Sequence, residues 1–295
     1  MTPGPTGWLL PAPFDAAPLD DDLEPPPPSA RRRRVTASQL ALAGAGLAEQ
    51  DRSILGSLLD LRYLTTRQID RLHIQADPNL SRLASARRTQ RHMARLDALG
   101  LVDKLDRRIG GSRAGSAAYI WRLRPAGLRL LGADPRRATH GFAHLAHALD
   151  VAEVVVRLRE NERVHDELEV AAIETEPACW RYYTSANGTK RTVRPDLRAT
   201  LRVVGGELHW FIEVDRGTEH RRFLARKITG YLALWRGGGE HARAGVFPRV
   251  LWVVPNRYRA EELRHLLATT PGLPPGMMTL TLRDDAVAAL TELPE

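Results

Sequence analysis

The sequence predicts an α+β protein of two domains: an N-terminal one built from helices and closed by a hairpin, and a C-terminal one in which strands and helices alternate. Three observations predict it. Apolar residues recur at helical spacing in successive segments between about 49 and 99, and two short strand patterns follow around a turn rich in Gly and Arg. After about 168, strand patterns are interrupted by a long amphipathic helix, so that with the helix before them the order reads αβββαβ. At 295 residues the chain is long enough for two cores of ordinary size.

Charge and cysteine usage narrow the function classes. The formal charge is +8, which favours an acidic partner, with nucleic acid the commonest. Charge alone leaves DNA, RNA and membrane surface open. Cys179 is the single cysteine, so neither an intramolecular disulfide nor a cysteine-rich zinc site can form, which fits a reducing cytoplasm. No apolar run reaches the roughly 18 residues of a spanning helix, and the N-terminus lacks a charged start followed by an apolar core. The expectation is a soluble cytoplasmic protein with no membrane partner. Lys104, Lys190 and Lys227 are the only lysines among 43 basic residues, which draws attention to each of them.

Residues 1–48 hold Pro-rich stretches, an acidic patch and the run Arg31 to Arg34. Such a segment buries too little apolar surface to offset its ordering entropy, so a disordered tail is expected. Residues 49–132 form the first domain. Ile54, Leu55, Leu58, Leu59 and Leu61 mark its first helix. A threonine N-cap in Thr65-Thr66-Arg67-Gln68-Ile69 starts a second, to about 74. The third runs from about 80 to 99, with Leu83, Ala86, Met93, Leu96 and Leu99 inward and its arginines largely elsewhere. Leu101 to Leu105 and Ala118 to Leu123 read as hairpin strands around the turn 107–116. Three helices and a hairpin make the layout of a winged helix-turn-helix, whose third helix enters the major groove while the wing lies along the backbone. The DNA-contacting candidates are Thr66, Arg67, Gln68, Arg87, Arg88, Arg91, Arg95, Arg107, Arg108 and Arg113. A helical bundle with a basic surface is the alternative.

A short helix from Pro125 to Leu131 and a linker at 133–141 lead into the second domain, 142–295, which opens with a helix from about 142 to 160. His144 and His147 lie on that helix three residues apart, but without a third ligand they read as capping or packing residues. Strands are expected at about 168–175, 193–203, 207–215 and 248–254, and helices at about 219–235 and 258–268. In the third of these strands alternation places Glu213 and Asp215 on one face. In the helix after it, Phe223, Leu224, Tyr231, Leu234 and Trp235 form the apolar stripe, and Lys227 falls inside that stripe. An inward ammonium needs a partner, and the strand's carboxylates would provide one.

Arg194-Pro195-Asp196 followed by Ile212-Glu213-Val214-Asp215 resembles the PD-(D/E)xK nuclease superfamily. The resemblance implies catalytic Asp196, Glu213, Asp215 and Lys227, with Asp196, Glu213 and Asp215 as ligands of Mg²⁺, for which Mn²⁺ can substitute. Asp215 stands where that pattern has its lysine, and Lys227, on the following helix, would take the lysine's part. Residues from about 50 to 265 also resemble the bacterial replication-relaxation family. The matching segments are Leu64 to Ile69, Gly100 to Val102, His147 to Asp150, Arg194 to Asp196, and Glu213 to Glu219 with Lys227 and Tyr231. That resemblance implies a DNA partner, a role in replication or mobilisation of plasmids and related elements, and other replication or mobilisation proteins as partners.

Two mechanisms stay open. In one, Asp196 and Glu213 hold Mg²⁺, Lys227 stabilises developing negative charge, and Asp215 holds a second ion or pairs with Lys227. In the other, Glu213, Asp215, Arg216 and Lys227 form an internal salt-bridge network in an inactive docking or homodimerisation module. A transcriptional regulator is a third class. Glu174 is a weaker ligand candidate.

Overall fold

The computed structural model describes residues 35–75, 77, 79–109, 118–139, 145–185 and 187–293, with backbone alone at 106–109, 118, 138 and 139. Arg113, His144 and Arg31 to Arg34 lie outside the described residues, as do the side chains of Arg107 and Arg108. The protein is α+β, and it divides into two compact units between Arg163 and Val164. This division lies beyond the expected linker at 133–141. The helix expected to open the second domain belongs to the first unit instead.

In the first unit, α1 (Ala37–Ala45) occupies part of the stretch expected to be a disordered tail. Thr36 caps it: the Thr36 hydroxyl accepts from the Gln39 amide, and the Gln39 side chain accepts from the Thr36 amide. Helix α2 (Glu49–Leu61) buries Ile54, Leu55, Leu58 and Leu61, the i, i+3, i+4 pattern of its sequence. Strand β1 (Leu64–Thr65) is too short to read from periodicity; it is defined by its pairing with a strand more than fifty residues later. Thr65 then caps α3 (Thr66–Ile69), which continues as a π turn through Ile74.

Helix α4 (Arg82–Ala98) buries Ser85, Thr89, Met93 and Leu96. Leu83, expected to face inward, is 62% exposed. The reason is a buried carboxylate: Asp70 accepts from the Ser85 hydroxyl, from Thr89 Oγ1 at 2.7 Å and from Gln75 at 2.8 Å, which turns the Ser/Thr edge of α4 inward. A second buried carboxylate, Asp51 on α2, takes His92 at 2.7 Å and Arg95 at 3.1 Å from α4. Strands β2 (Val102–Ile109) and β3 (Ala118–Leu123) pair antiparallel and, with β1, form a sheet of order β1-β3-β2. After α5 (Pro125–Leu130), α6 (Leu145–Val164) is tied to α3 and its π turn. Gln68 donates to the Leu149 carbonyl at 3.0 Å, and Arg71 pairs with Glu153 at 2.7 Å and with Glu160.

The second unit is a five-stranded sheet of order β10-β9-β8-β7-β4, made by β4 (Glu169–Thr175), β7 (Leu197–Val203), β8 (Gly206–Val214), β9 (Arg249–Val254) and β10 (Met278–Leu282). β4, β7 and β8 pair antiparallel; β8, β9 and β10 pair parallel. Helices α7 (Arg221–Arg236) and α9 (Arg257–Ala268) pack on one face, against Phe211, Val250, Trp252 and Val254. On α7 the buried stripe is Leu224, Ile228, Tyr231, Leu232 and Leu234, whereas Phe223 and Trp235 are exposed. Five elements of this unit were not expected: the hairpin of β5 (Arg181–Thr184) and β6 (Lys190–Val193), α8 (Gly239–Ala244), β10 and α10 (Ala286–Thr291). Trp210 donates its indole N–H to the Leu290 carbonyl of α10 at 2.9 Å.

Candidate functional site

Glu213 is the centre of the site. It lies on β8 one residue from the strand end, 1% exposed, on the face that carries α7. Leu197 pairs with Ile212, so Asp196, one residue before β7, comes opposite Glu213. The Asp196 amide donates to the Ile212 carbonyl at 3.1 Å, and its carboxylate accepts from the Val214 amide at 2.7 Å. On the opposite side of Glu213, Trp252 of β9 is its register partner.

Two side chains one turn apart on α7 close on the Glu213 carboxylate. Lys227 Nζ donates to Oε2 at 3.0 Å and the Tyr231 hydroxyl to Oε1 at 2.7 Å. Spacing of i and i+4 puts both on one helix face, which is why a KxxxY pattern can serve a single carboxylate. Lys227 also lies 3.5 Å from Glu219 and 5.9 Å from the centroid of the Trp252 ring, with its side chain 34% exposed. Burial pushes the Glu213 carboxyl up to about 7; Lys227 pulls it down and Asp196 adds to the rise. Burial opposes the charge of Lys227, but Glu213, Asp196 and Glu219 outweigh it and hold the ammonium above its usual range. Burial, then Glu213, keeps Tyr231 protonated well beyond the ordinary phenol range.

Asp215 does not join them. Alternation sends Glu213 and Asp215 towards the same layer of helices, and two different helices claim them: α7 takes Glu213 and α9 takes Asp215. Arg259 donates through Nε and Nη2 to the Asp215 carboxylate, and through Nη2 to the Glu219 carbonyl at 2.7 Å. The Gly217 amide adds a third donor to Asp215 at 2.9 Å, in a turn whose φ of 79° suits glycine. The partner of Asp215 is therefore Arg259, and Lys227 belongs to Glu213. Glu174 is likewise committed, to Arg181 and Arg198 at 2.7 Å each; burial opposes its charge, but those arginines hold its carboxyl below the usual range.

As a set of metal ligands the three expected carboxylates do not assemble. Among the described residues no three His, Cys, Asp or Glu side chains are grouped to hold a metal. Asp196 and Glu213 remain as adjacent oxygen donors of the type Mg²⁺ takes, usually one or two carboxylates completed by water and phosphate. The donor chemistry thus fits at Asp196 and Glu213 and not at Asp215.

The candidate DNA residues of the first unit also separate. Gln68 is 6% exposed and spends its amide on Leu149 and Glu153, besides accepting from the Thr65 amide. Thr66 accepts from the Trp121 indole at 2.9 Å and donates to the Tyr119 carbonyl. Arg95 is tied to Asp51 and to the Gly46 carbonyl. These three hold the fold together. Arg67, Arg87 and Arg91 are exposed, and Arg88 sits 3.8 Å from Asp77.

The family model described as replication-relaxation matches residues 55–250, more than half of the chain. The chain belongs to the replication-relaxation family. No curated protein and no solved structure matches it. The fold joins several of the segments by which the sequence resembles this family, within each unit. Gln68 of LTTRQI bonds Leu149 of HxLD, and Asp196 of RPD accepts from Val214 of EVDRGTE, whose Glu213 takes both Lys227 and Tyr231. Reading the sequence missed Arg259, whose signal is an Asn256 cap placing it in the first turn of α9, and Cys179. The buried Cys179 thiol donates to the Pro195 carbonyl at 3.0 Å, which fixes the segment carrying Asp196, and burial pushes its pKa up to about 12.

Proposed function

We propose that this replication-relaxation family protein binds duplex DNA through a winged helix-turn-helix and acts in replication or mobilisation of a plasmid or related element. Helix α4 would enter the major groove, with the β2–β3 hairpin along the backbone. One observation carries the reading: Arg87 and Arg91, one turn apart, are exposed on the side of α4 away from Ser85, Thr89, Met93 and Leu96, and neither is in an ion pair among the described residues. Exposed arginines without carboxylate partners are free to release counterions from phosphates. The test is the affinity of the Arg87→Glu, Arg91→Glu double variant for duplex DNA over a salt series. The expected result is weaker binding, with a log–log slope shallower by about 1.8 if each arginine neutralises one phosphate. Unaltered affinity and slope would place the DNA surface elsewhere.

A second reading, Mg²⁺-dependent cleavage or nicking, is favoured by the convergence of Asp196 and Lys227 on Glu213. A bound Mg²⁺ would supply polarisation of a phosphate. Asp196 and Glu213 would hold it, and Lys227 carries a positive charge to the same place. Titration calorimetry with Mg²⁺ and Mn²⁺, beside incubation with supercoiled and single-stranded DNA, tests this against an Asp196→Ala, Glu213→Ala variant. Metal binding and cleavage that both vanish in the variant support the reading. Their absence from the native chain leaves the second unit a docking or dimerisation module, in which Lys227 and Glu213 serve the fold.

A further inference from the structure

We propose that the exposed face of α7 carrying Arg222, Phe223 and Arg226 binds single-stranded DNA. Phe223 is 39% exposed, whereas Leu224, Ile228 and Tyr231 of the same helix are fully buried, so its ring is not part of the core stripe. Two guanidinium groups attend that ring, Arg222 at 4.9 Å and Arg226 at 5.8 Å from its centroid, and the His220 ring lies 6.4 Å away, tilted by 34°. Arg221, Arg222 and Arg226 are all exposed, and none is in an ion pair among the described residues. Three like charges side by side repel one another, and a negatively charged partner relieves that repulsion.

The partner that answers both features offers negative charge and flat apolar surfaces at the same spacing. Duplex DNA offers the charge but hides its base faces within the stack, and an acidic peptide offers flat rings only where aromatic residues happen to stand among its carboxylates. An unpaired strand offers both: bases stack on an aromatic ring or on a guanidinium plane, while the arginines meet the phosphates. Lys227 stands four residues after Phe223 on the same helix and bonds Glu213, so a strand held on this face would run beside the carboxylate centre. The inference depends on the DNA-binding reading only for the choice of DNA; its residues lie in the other unit from α4.

The experiment is fluorescence anisotropy of the intact chain with a labelled oligothymidylate of roughly 20 nucleotides and with a duplex of equal length, enough to cover one or more stacking sites. Phe223→Ala is expected to weaken oligothymidylate binding by roughly tenfold, the loss typical of one stacked base, and Phe223→Leu by a similar factor, because apolar bulk without a ring cannot stack. Phe223→Trp is expected to keep the affinity. Arg222→Gln with Arg226→Gln should flatten the salt slope for the single strand by about 1.4. Affinity for oligothymidylate retained in Phe223→Ala or in Phe223→Leu would overturn the proposal. The Arg87→Glu, Arg91→Glu variant separates the two readings: it should lose the duplex and keep the oligothymidylate. If it keeps both while Phe223→Ala loses the single strand, the α4 reading fails and this one stands.

Discussion

Burial makes the charge of one carboxylate, Glu213, costly, and Lys227, Tyr231 and Asp196 modify that cost. Its folded pKa of about 7 lies above the range of a free glutamate, so between about 4.5 and 7 the folded state binds the extra proton. Stability from this group is therefore fully present below the unfolded pKa and is lost as pH rises through about 7. Glu213→Gln removes that titration. The expected outcome is that the stability difference between native chain and variant falls with rising pH across this window, by on the order of 1–3 kcal/mol. Urea denaturation at pH 5 and pH 8 measures it; a difference that does not change with pH would mean the carboxyl is not raised. Nothing in the residue types announces this. The inward stripe position of Lys227 predicted a carboxylate partner, and one exists, but which of two acidic residues it takes depends on Arg259, more than forty positions from Asp215.

At the scale of elements, α4 shows how one helix divides its arginines between fold and surface. Arg95 reaches back to a buried carboxylate on α2, while Arg91, one turn earlier, points to solvent. Arg95→Ala leaves Asp51 with His92 and the Ala48 amide, and is expected to cost about 1–2 kcal/mol, since an ion pair to a buried carboxylate is lost together with the hydrogen bond to the Gly46 carbonyl. Arg91→Ala should stay within about 0.5 kcal/mol, as an exposed substitution away from any network. Urea midpoints of the two variants check this, and equal midpoints would refute the division. Periodicity found α4 itself because Leu83, Ala86, Met93, Leu96 and Leu99 recur at helical spacing. It could not sort the arginines, since hydrophobic spacing treats all of them as outward. It also placed Leu83 inside, because the Ser85 and Thr89 edge buries through hydrogen bonds to Asp70 rather than through apolar area.

For the whole molecule, the two units carry titrations of opposite sign. In the first unit burial, with Arg163 nearby, pushes His73 down to about 4. A histidine with a depressed folded pKa contributes stability that is present above its unfolded pKa near 6.5 and lost as pH falls through about 4. Lowering the pH from 7 to 5 is thus expected to weaken the first unit through His73 and to strengthen the second through Glu213. Scanning calorimetry of the intact chain should show unfolding broaden or split differently at the two pH values, and His73→Gln together with Glu213→Gln should suppress the change. A profile with the same pH response in that double variant would count against it. The sequence by itself determined the α+β class, the helical spans of the first unit other than α1, the central strands and the segments that mark the replication-relaxation family, because these follow from local periodicity, capping and short motifs. Tertiary structure alone decided that α6 belongs with the first unit, that β1, β10 and α10 exist as elements, and that Asp215 leaves the Glu213 centre for Arg259. Each of those outcomes rests on a partner distant in sequence, and pairing across such distances is set by packing and burial, which no local pattern encodes.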